Sequence, residues 1–245
     1  MNSFLMRTVI LLAFLLVARP LRAHYLWITI RSNADRESVA NIIFEEGPKP
    51  GDGHYLEHFL GTSDVWIRTL EQPTPSPQKA KEVRQDDKRW MQLSVSDEPP
   101  YSVDAYGKFG VYAYGDTKML LHYYARYLKA EAHDAMHEVG HAEQLKLDLI
   151  PHDIGDDIEF KLVWDGSPVA DRMVFIRGSN GFRENIRTDS AGMIRIKRPA
   201  DGQLRLRSSV EFATPGQDQG DAYERVRHNI TLIIPETKDE SRLSP

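Results

Sequence analysis

The chain has 245 residues, enough for two domains of about 100 residues each once a leader is set aside. The net charge is −5, and removal of residues 1–23 takes away Arg7, Arg19 and Arg22 and no acid, leaving 28 basic against 36 acidic residues, or −8; this argues against a nucleic-acid partner and against attachment to anionic headgroups. With no cysteine, disulfides, a lipoprotein anchor, thiolate zinc and blue-copper sites and haem attachment are excluded, so any transition-metal site must use nitrogen and oxygen donors.

Residues 1–23 read as an export signal. Arg7 supplies the positive start, Thr8 to Ala18 the apolar run, and Ala23 the small residue before the cut. The apolar run is too short for a bilayer span, which needs about 20 residues, and no later stretch reads as one. Cleavage there would make His24 the first residue of a periplasmic or secreted protein.

Short alternating runs follow. His24 to Ile30, Val39 to Glu45, Val65 to Leu70, Trp90 to Ser96, Tyr101 to Tyr106, Val111 to Tyr114 and Met119 to Leu128 are rich in β-branched and aromatic residues and bounded by Gly/Pro/Asp turns. Glu71 to Lys88, polar and with three prolines, reads as a long loop, and Lys129 to Gln144 as a connection with one or two helical turns. In the second half Ile158, Phe160, Leu162 and Trp164 share one strand face, Ile194 alternates with Arg195, and Leu204 and Leu206 alternate with Arg205 and Arg207. Pro215 to Asp221 reads as a mobile loop. The expected fold is all-β: an antiparallel β-sandwich over 24–128, a linker over 129–144, a second sandwich over 145–235 and a flexible tail over 236–245.

Nine histidines make imidazole the main candidate ligand. His24, if freed by cleavage, offers its α-amine and its ring to one ion, the arrangement called a histidine brace when another histidine joins; it serves equally as the first residue of a strand. Tetragonal nitrogen ligation favours Cu(II) or Ni(II). His122 and His228 each lie on an apolar strand face, where a hydrogen-bonded structural imidazole is the competing reading. His133, His137 and His141 stand four apart, but Gly140 interrupts the pattern and the stretch shows no apolar stripe, so it reads as an exposed loop of adventitious affinity; His54 and His58 meet the same objection. No nucleophile elbow, Walker loop or dinucleotide fingerprint is present, and the acidic pairs Asp86-Asp87 and Asp156-Asp157 read as solvated turns.

Several segments share one pattern in order: HYLWI from His24, FEEGP from Phe44, DVWIR from Asp64, LLHYYAR from Leu120, LDLIP from Leu147, VWDGSP from Val163, Thr188-Asp189 with Gly192, and VRHNITL from Val226. The chain thereby resembles an exported bacterial family of unknown function labelled as a nickel-uptake, substrate-specific periplasmic region. Its second half looks like the small transthyretin-like or carboxypeptidase-regulatory-like sandwich. The resemblance implies an N-terminal histidine and divalent-metal binding or delivery, with nickel or copper held by His24, His122 and His228 and an envelope transporter or other envelope protein as partner. Two other functions stay open: a non-catalytic module recognising protein or carbohydrate through clustered aromatics (Tyr101, Tyr106, Tyr112 and Tyr114 among them), and a copper mono-oxygenase built on a histidine brace.

Overall fold

A computed structural model describes residues 23–32, 38–95, 100–130, 133–199 and 202–236. The export signal up to residue 22 and the tail from residue 237 lie outside the described residues. The protein is all-β and sandwich-type.

The first half supplies β1 (Tyr25–Ser32), β2 (Ser38–Glu45), β3 (Asp64–Thr69), β4 (Ser76–Gln78), β5 (Lys81–Gln85), β6 (Lys88–Val95), β7 (Tyr101–Tyr114) and β8 (Thr117–Lys129). After a short helix α1 (His133–Val139) come β9 (Leu147–Ile154), β10 (Asp157–Trp164), β11 (Ser167–Pro168), β12 (Met173–Gly178), β13 (Arg183–Arg187) and β14 (Met193–Lys197). The chain continues through β15 (Leu204–Phe212), β16 (Gly216–Asp218), β17 (Asp221–Tyr223) and β18 (Arg225–Ile234).

These strands form a central eight-stranded sheet in the order β13-β12-β15-β18-β8-β7-β3-β4, flanked by a four-stranded sheet β1-β2-β6-β5 and by a sheet in which β10 lies between β9 and β14 with β11. The two halves meet in the central sheet, where β18 pairs with β8 in parallel. Each flanking sheet covers one face of it. On β8 the odd residues Leu121, Tyr123, Ala125 and Tyr127 pack with Leu26, Ile28, Ile42 and Phe44 of the β1-β2 sheet. The even residues Tyr124 and Leu128 belong to the second core with Ile158, Phe160, Leu162, Ile230 and Leu232. Period-two alternation thus lets one strand serve two cores.

Four segments differ from the sequence expectation. Ser76–Gln78 and Lys81–Gln85 are edge strands inside the expected loop, and the expected mobile loop around Pro215 closes as the β16–β17 hairpin. In both places the polar side chains that suggested a loop decorate strands whose backbones are paired. Helix α1 does carry an apolar stripe, burying Ala135, Met136 and Val139. The two short runs expected at 101–106 and 111–114 are one strand, β7, whose register against β8 shifts between Lys108 and Gly110. Gly110 has φ +103°, and the extra residue is a bulge that turns every later side chain to the other face.

A buried polar network pins the connection to the central sheet. Arg126, fully buried, donates to Asp104 at 2.9 Å, Asp148 at 2.5 Å and the carbonyl of Gly140 at 2.8 Å. Arg68 donates to Asp104 at 3.3 Å, to the Val139 carbonyl at 2.9 Å, and to the His141 carbonyl. Asp148 in turn accepts from the Ala142 amide at 2.8 Å, and Gln144 donates to Asp104 at 2.9 Å. Two guanidinium groups and two carboxylates balance in charge, which buried ions require.

Candidate functional site

The three expected ligands fall on opposite faces of the central sheet. His24 leads into β1 and lies with Leu121 and Tyr123, on the face covered by β1 and β2. His122 and His228 lie on the other face, directly opposite each other in the parallel β8–β18 register. Their rings stack with centroids 4.6 Å apart and planes 11° apart. That separation is close to the strand spacing, as in-register positions on neighbouring strands dictate.

The Tyr106 hydroxyl lies 2.9 Å from Nδ1 of His122, and the Tyr124 hydroxyl 3.2 Å from Nδ1 of His228. Trp164 packs on His228 at 4.2 Å and Phe212 at 6.0 Å. Burial pushes His122 down to about 4 and His228 down to about 3, aided by Lys108 at His122 and by His122 itself at His228. Both imidazoles are therefore neutral at physiological pH. An imidazole lone pair lies in its ring plane, and two stacked, nearly parallel planes share no point within bonding distance of both rings. One ion can be held by both nitrogens only after a ring turns.

His24 occupies a different setting. It lines a recess of about 100 Å³ walled by Phe44, Tyr55, Phe109, Tyr112 and Tyr114. Its ring stacks on Phe44 at 5.7 Å and meets Tyr55 edge-on at 5.4 Å. Nε2 stands 3.6 Å from Oε2 of Glu45. Burial raises the Glu45 carboxyl above the usual range, opposed by the Gly53 N–H, which donates to it at 3.3 Å, and by His24. The Tyr55 hydroxyl bonds to Tyr112, and Tyr123 to Tyr114. Burial, with neighbouring tyrosines, holds the Tyr55, Tyr114 and Tyr123 hydroxyls above the ordinary tyrosine pKa, so all stay protonated.

His54 and His58, set aside on spacing, border this recess. His54, in the turn leading into a 3₁₀ segment Leu56–His58, meets Tyr55 edge-on at 4.5 Å, and His58, at the end of that segment, stacks on Phe109 at 3.9 Å. Of the four tyrosines expected to cluster, Tyr112 and Tyr114 do so here, with centroids 4.9 Å apart. Tyr101 is instead a core residue, 2% exposed, and Tyr106 faces His122 across the sheet. The β7 bulge separates Tyr106 from Tyr112, which a strict period of two would have left on one face.

His137 and His141 line a third feature, an open cleft of about 620 Å³, with His152, Glu138, Glu143 and Lys161. His133 is held at 3.0 Å to the carbonyl of Asp153. Among the described residues no three His, Asp or Glu side chains converge on a point that would hold a metal ion. Among them, too, no helix is long and apolar enough to cross a membrane.

No family model matches the chain and no curated protein matches it. Solved structures with some likeness include the D0-D1 domain of intimin (12% identity, 86% of this chain and 95% of that one, TM-score 0.26). Others are the chicken interferon gamma receptor alpha chain (10% identity, 84% and 97%, TM-score 0.21) and a bacterial ice-binding adhesin (12% identity, 85% and 62%, TM-score 0.21). The structural likeness is too slight for any of them to bear on function.

Proposed function

We propose that the protein is a non-catalytic binding module of the cell envelope or exterior, and that the recess around His24 receives a small ligand with a flat face, of which a sugar ring is the type. The observation that carries this is the concentration of aromatic side chains around one polar pair, His24 and Glu45, at the end of a sandwich. Ring faces stack on the C–H face of a sugar, and tyrosine hydroxyls and one carboxylate orient its hydroxyls, the usual division of labour in a small-molecule site. The export signal read at residues 1–23 supports placement outside the cytoplasm.

The experiment is an aromatic carbon–proton NMR titration of protein beginning at His24 with a panel of neutral mono- and disaccharides. Saturable shifts of the Tyr55, Tyr112 and Tyr114 rings, lost in Tyr112→Ala, are the expected result. Rings that stay unmoved by every sugar overturn the reading.

One observation favours a second reading, nickel or copper binding in the same recess. Glu45 Oε2 lies 3.6 Å from His24 Nε2, so cleavage before His24 would bring an amine, an imidazole and a carboxylate together, a donor set suited to a tetragonal ion. His122 and His228 take no part in that arrangement. Protein beginning at His24 should then bind Cu(II) or Ni(II) tightly by calorimetry, and one extra N-terminal residue or His24→Ala should abolish it. Equal affinity in the extended protein removes this reading.

A further inference from the structure

The face of the central sheet that holds His24 is covered by β1 and β2 only over the first half of the chain. Over β12, β13 and β15 it presents arginine. Arg177 on β12 stands directly opposite Arg183 on β13 and Arg205 on β15, so three guanidinium groups form a row across three adjacent strands. One step along the strand, Arg207 stands opposite Phe175. Its guanidinium lies between the Tyr25 ring, at 4.7 Å, and the Phe175 ring, at 4.9 Å.

Like charges directly opposed across a sheet cost stability. Among the described residues none of these four arginines is ion-paired with a carboxylate; Arg177 donates to the carbonyls of Ile176 and Glu184 and to Asn185. Burial first, and then Arg207, Arg183 and Arg205, oppose the charge on Arg177. Between this row and the Gly47-Pro48 turn lies a recess of about 210 Å³ floored in part by Trp27. Glu46, on its rim, already has a partner of its own.

We infer that this arginine face is a second binding site, specific for a linear acidic polysaccharide carrying one carboxylate per sugar. Adjacent strands set the backbone positions that carry these side chains ~4.8 Å apart, close to the length of one sugar ring. Guanidinium forks bind carboxylates in bidentate fashion, and Arg207, held between two rings, is oriented before any ligand arrives. The recess is concave, so a flat lipid surface cannot reach its floor. The net charge of −5 repels a densely charged duplex or membrane at long range while leaving a sparsely charged chain to find the patch. This site is independent of the His24 recess and stands or falls separately.

The test is calorimetry of the full chain with a galacturonic acid hexamer in low and high salt, beside an uncharged dextran oligomer, a 20-nucleotide single-stranded DNA and phosphatidylglycerol vesicles. The expected result is salt-sensitive binding of the hexamer alone. It weakens at least about tenfold in the double variant Arg177→Glu/Arg205→Glu and is unchanged in Lys118→Glu, whose side chain is exposed on β8. Should the double variant fail to fold by circular dichroism, Arg183→Gln on the exposed edge strand serves in its place, with the same direction of change. Absence of hexamer binding, equal binding by the variants, or DNA or vesicle binding as tight as the hexamer overturns the inference.

Discussion

Arg126 is the side chain on which the connection between the two halves depends. It has no exposed surface, and its partners Asp104 and Asp148 come from β7 and β9, with Gly140 supplying a carbonyl. Removing one partner of a buried ion pair leaves the others charged and unsolvated, which costs about 3–5 kcal/mol. Arg126→Met should lower stability by that amount in urea unfolding and expose residues near Gly140 to protease. A loss below about 1 kcal/mol would mean that water reaches the carboxylates. The stacked imidazoles make a prediction of the opposite kind, since they are neutral. In the unfolded chain both take up protons near 6.5, but folded His122 does so only near 4 and His228 only near 3. Between those values the unfolded state binds more protons. Their contribution to stability is complete above about pH 6.5 and is lost as pH falls toward 4 and then 3. Urea midpoints at several pH values should drop more steeply on acidification for the parent than for the His122→Gln/His228→Gln double variant. Parallel curves would show that the pair is not the acid-sensitive element.

Strand β7 owes its place in the wall of the His24 recess to a single extra residue. The bulge before Gly110 sends Tyr112 and Tyr114 to the face that carries His24, while Tyr106 stays on the face of His122. Deletion of Gly110 removes the extra residue and leaves Tyr112 an odd number of positions from Tyr106, so both tyrosines should keep their face and their nuclear Overhauser contacts to Leu121 and Tyr123. Gly110→Val places a branched residue at φ +103° and should cost roughly 1–3 kcal/mol without moving the tyrosines. A deletion variant that loses these contacts would mean that the end of β7 pairs with β8 in a different register.

The parallel β8–β18 ladder, nine residue pairs from Arg225–Met119 to Ile233–Tyr127, joins the halves of the molecule in one sheet. Ile233 packs in the core of the first half and Tyr124, Leu128 and Ala130 in the core of the second. Neither half can open without exposing side chains of the other's core, so scanning calorimetry should record one unfolding transition with equal calorimetric and van't Hoff enthalpies. Two resolved peaks would show that the cores melt independently.

Local pattern alone determined the all-β class and marked runs such as Ile158, Phe160, Leu162 and Trp164 as strand faces, because alternation at period two is a property of neighbours along the chain. The polar edge strands at Ser76–Gln78 and Lys81–Gln85 carried no such signal. The same local signal singled out His122 and His228 and the connection around residue 140. It had no means of assigning His24 to one face and the histidine pair to the other, since facing depends on which sheet covers each side. The bulge that unites Tyr112 with His24 is one residue in a register that only the partner strand defines. The row Arg183-Arg177-Arg205 is made of residues on three strands, each alone an ordinary polar position on an alternating strand. Charges that read as scattered in the chain become a patch because hydrogen bonding sets strands side by side, and that long-range pairing is the part of this protein that tertiary structure decided.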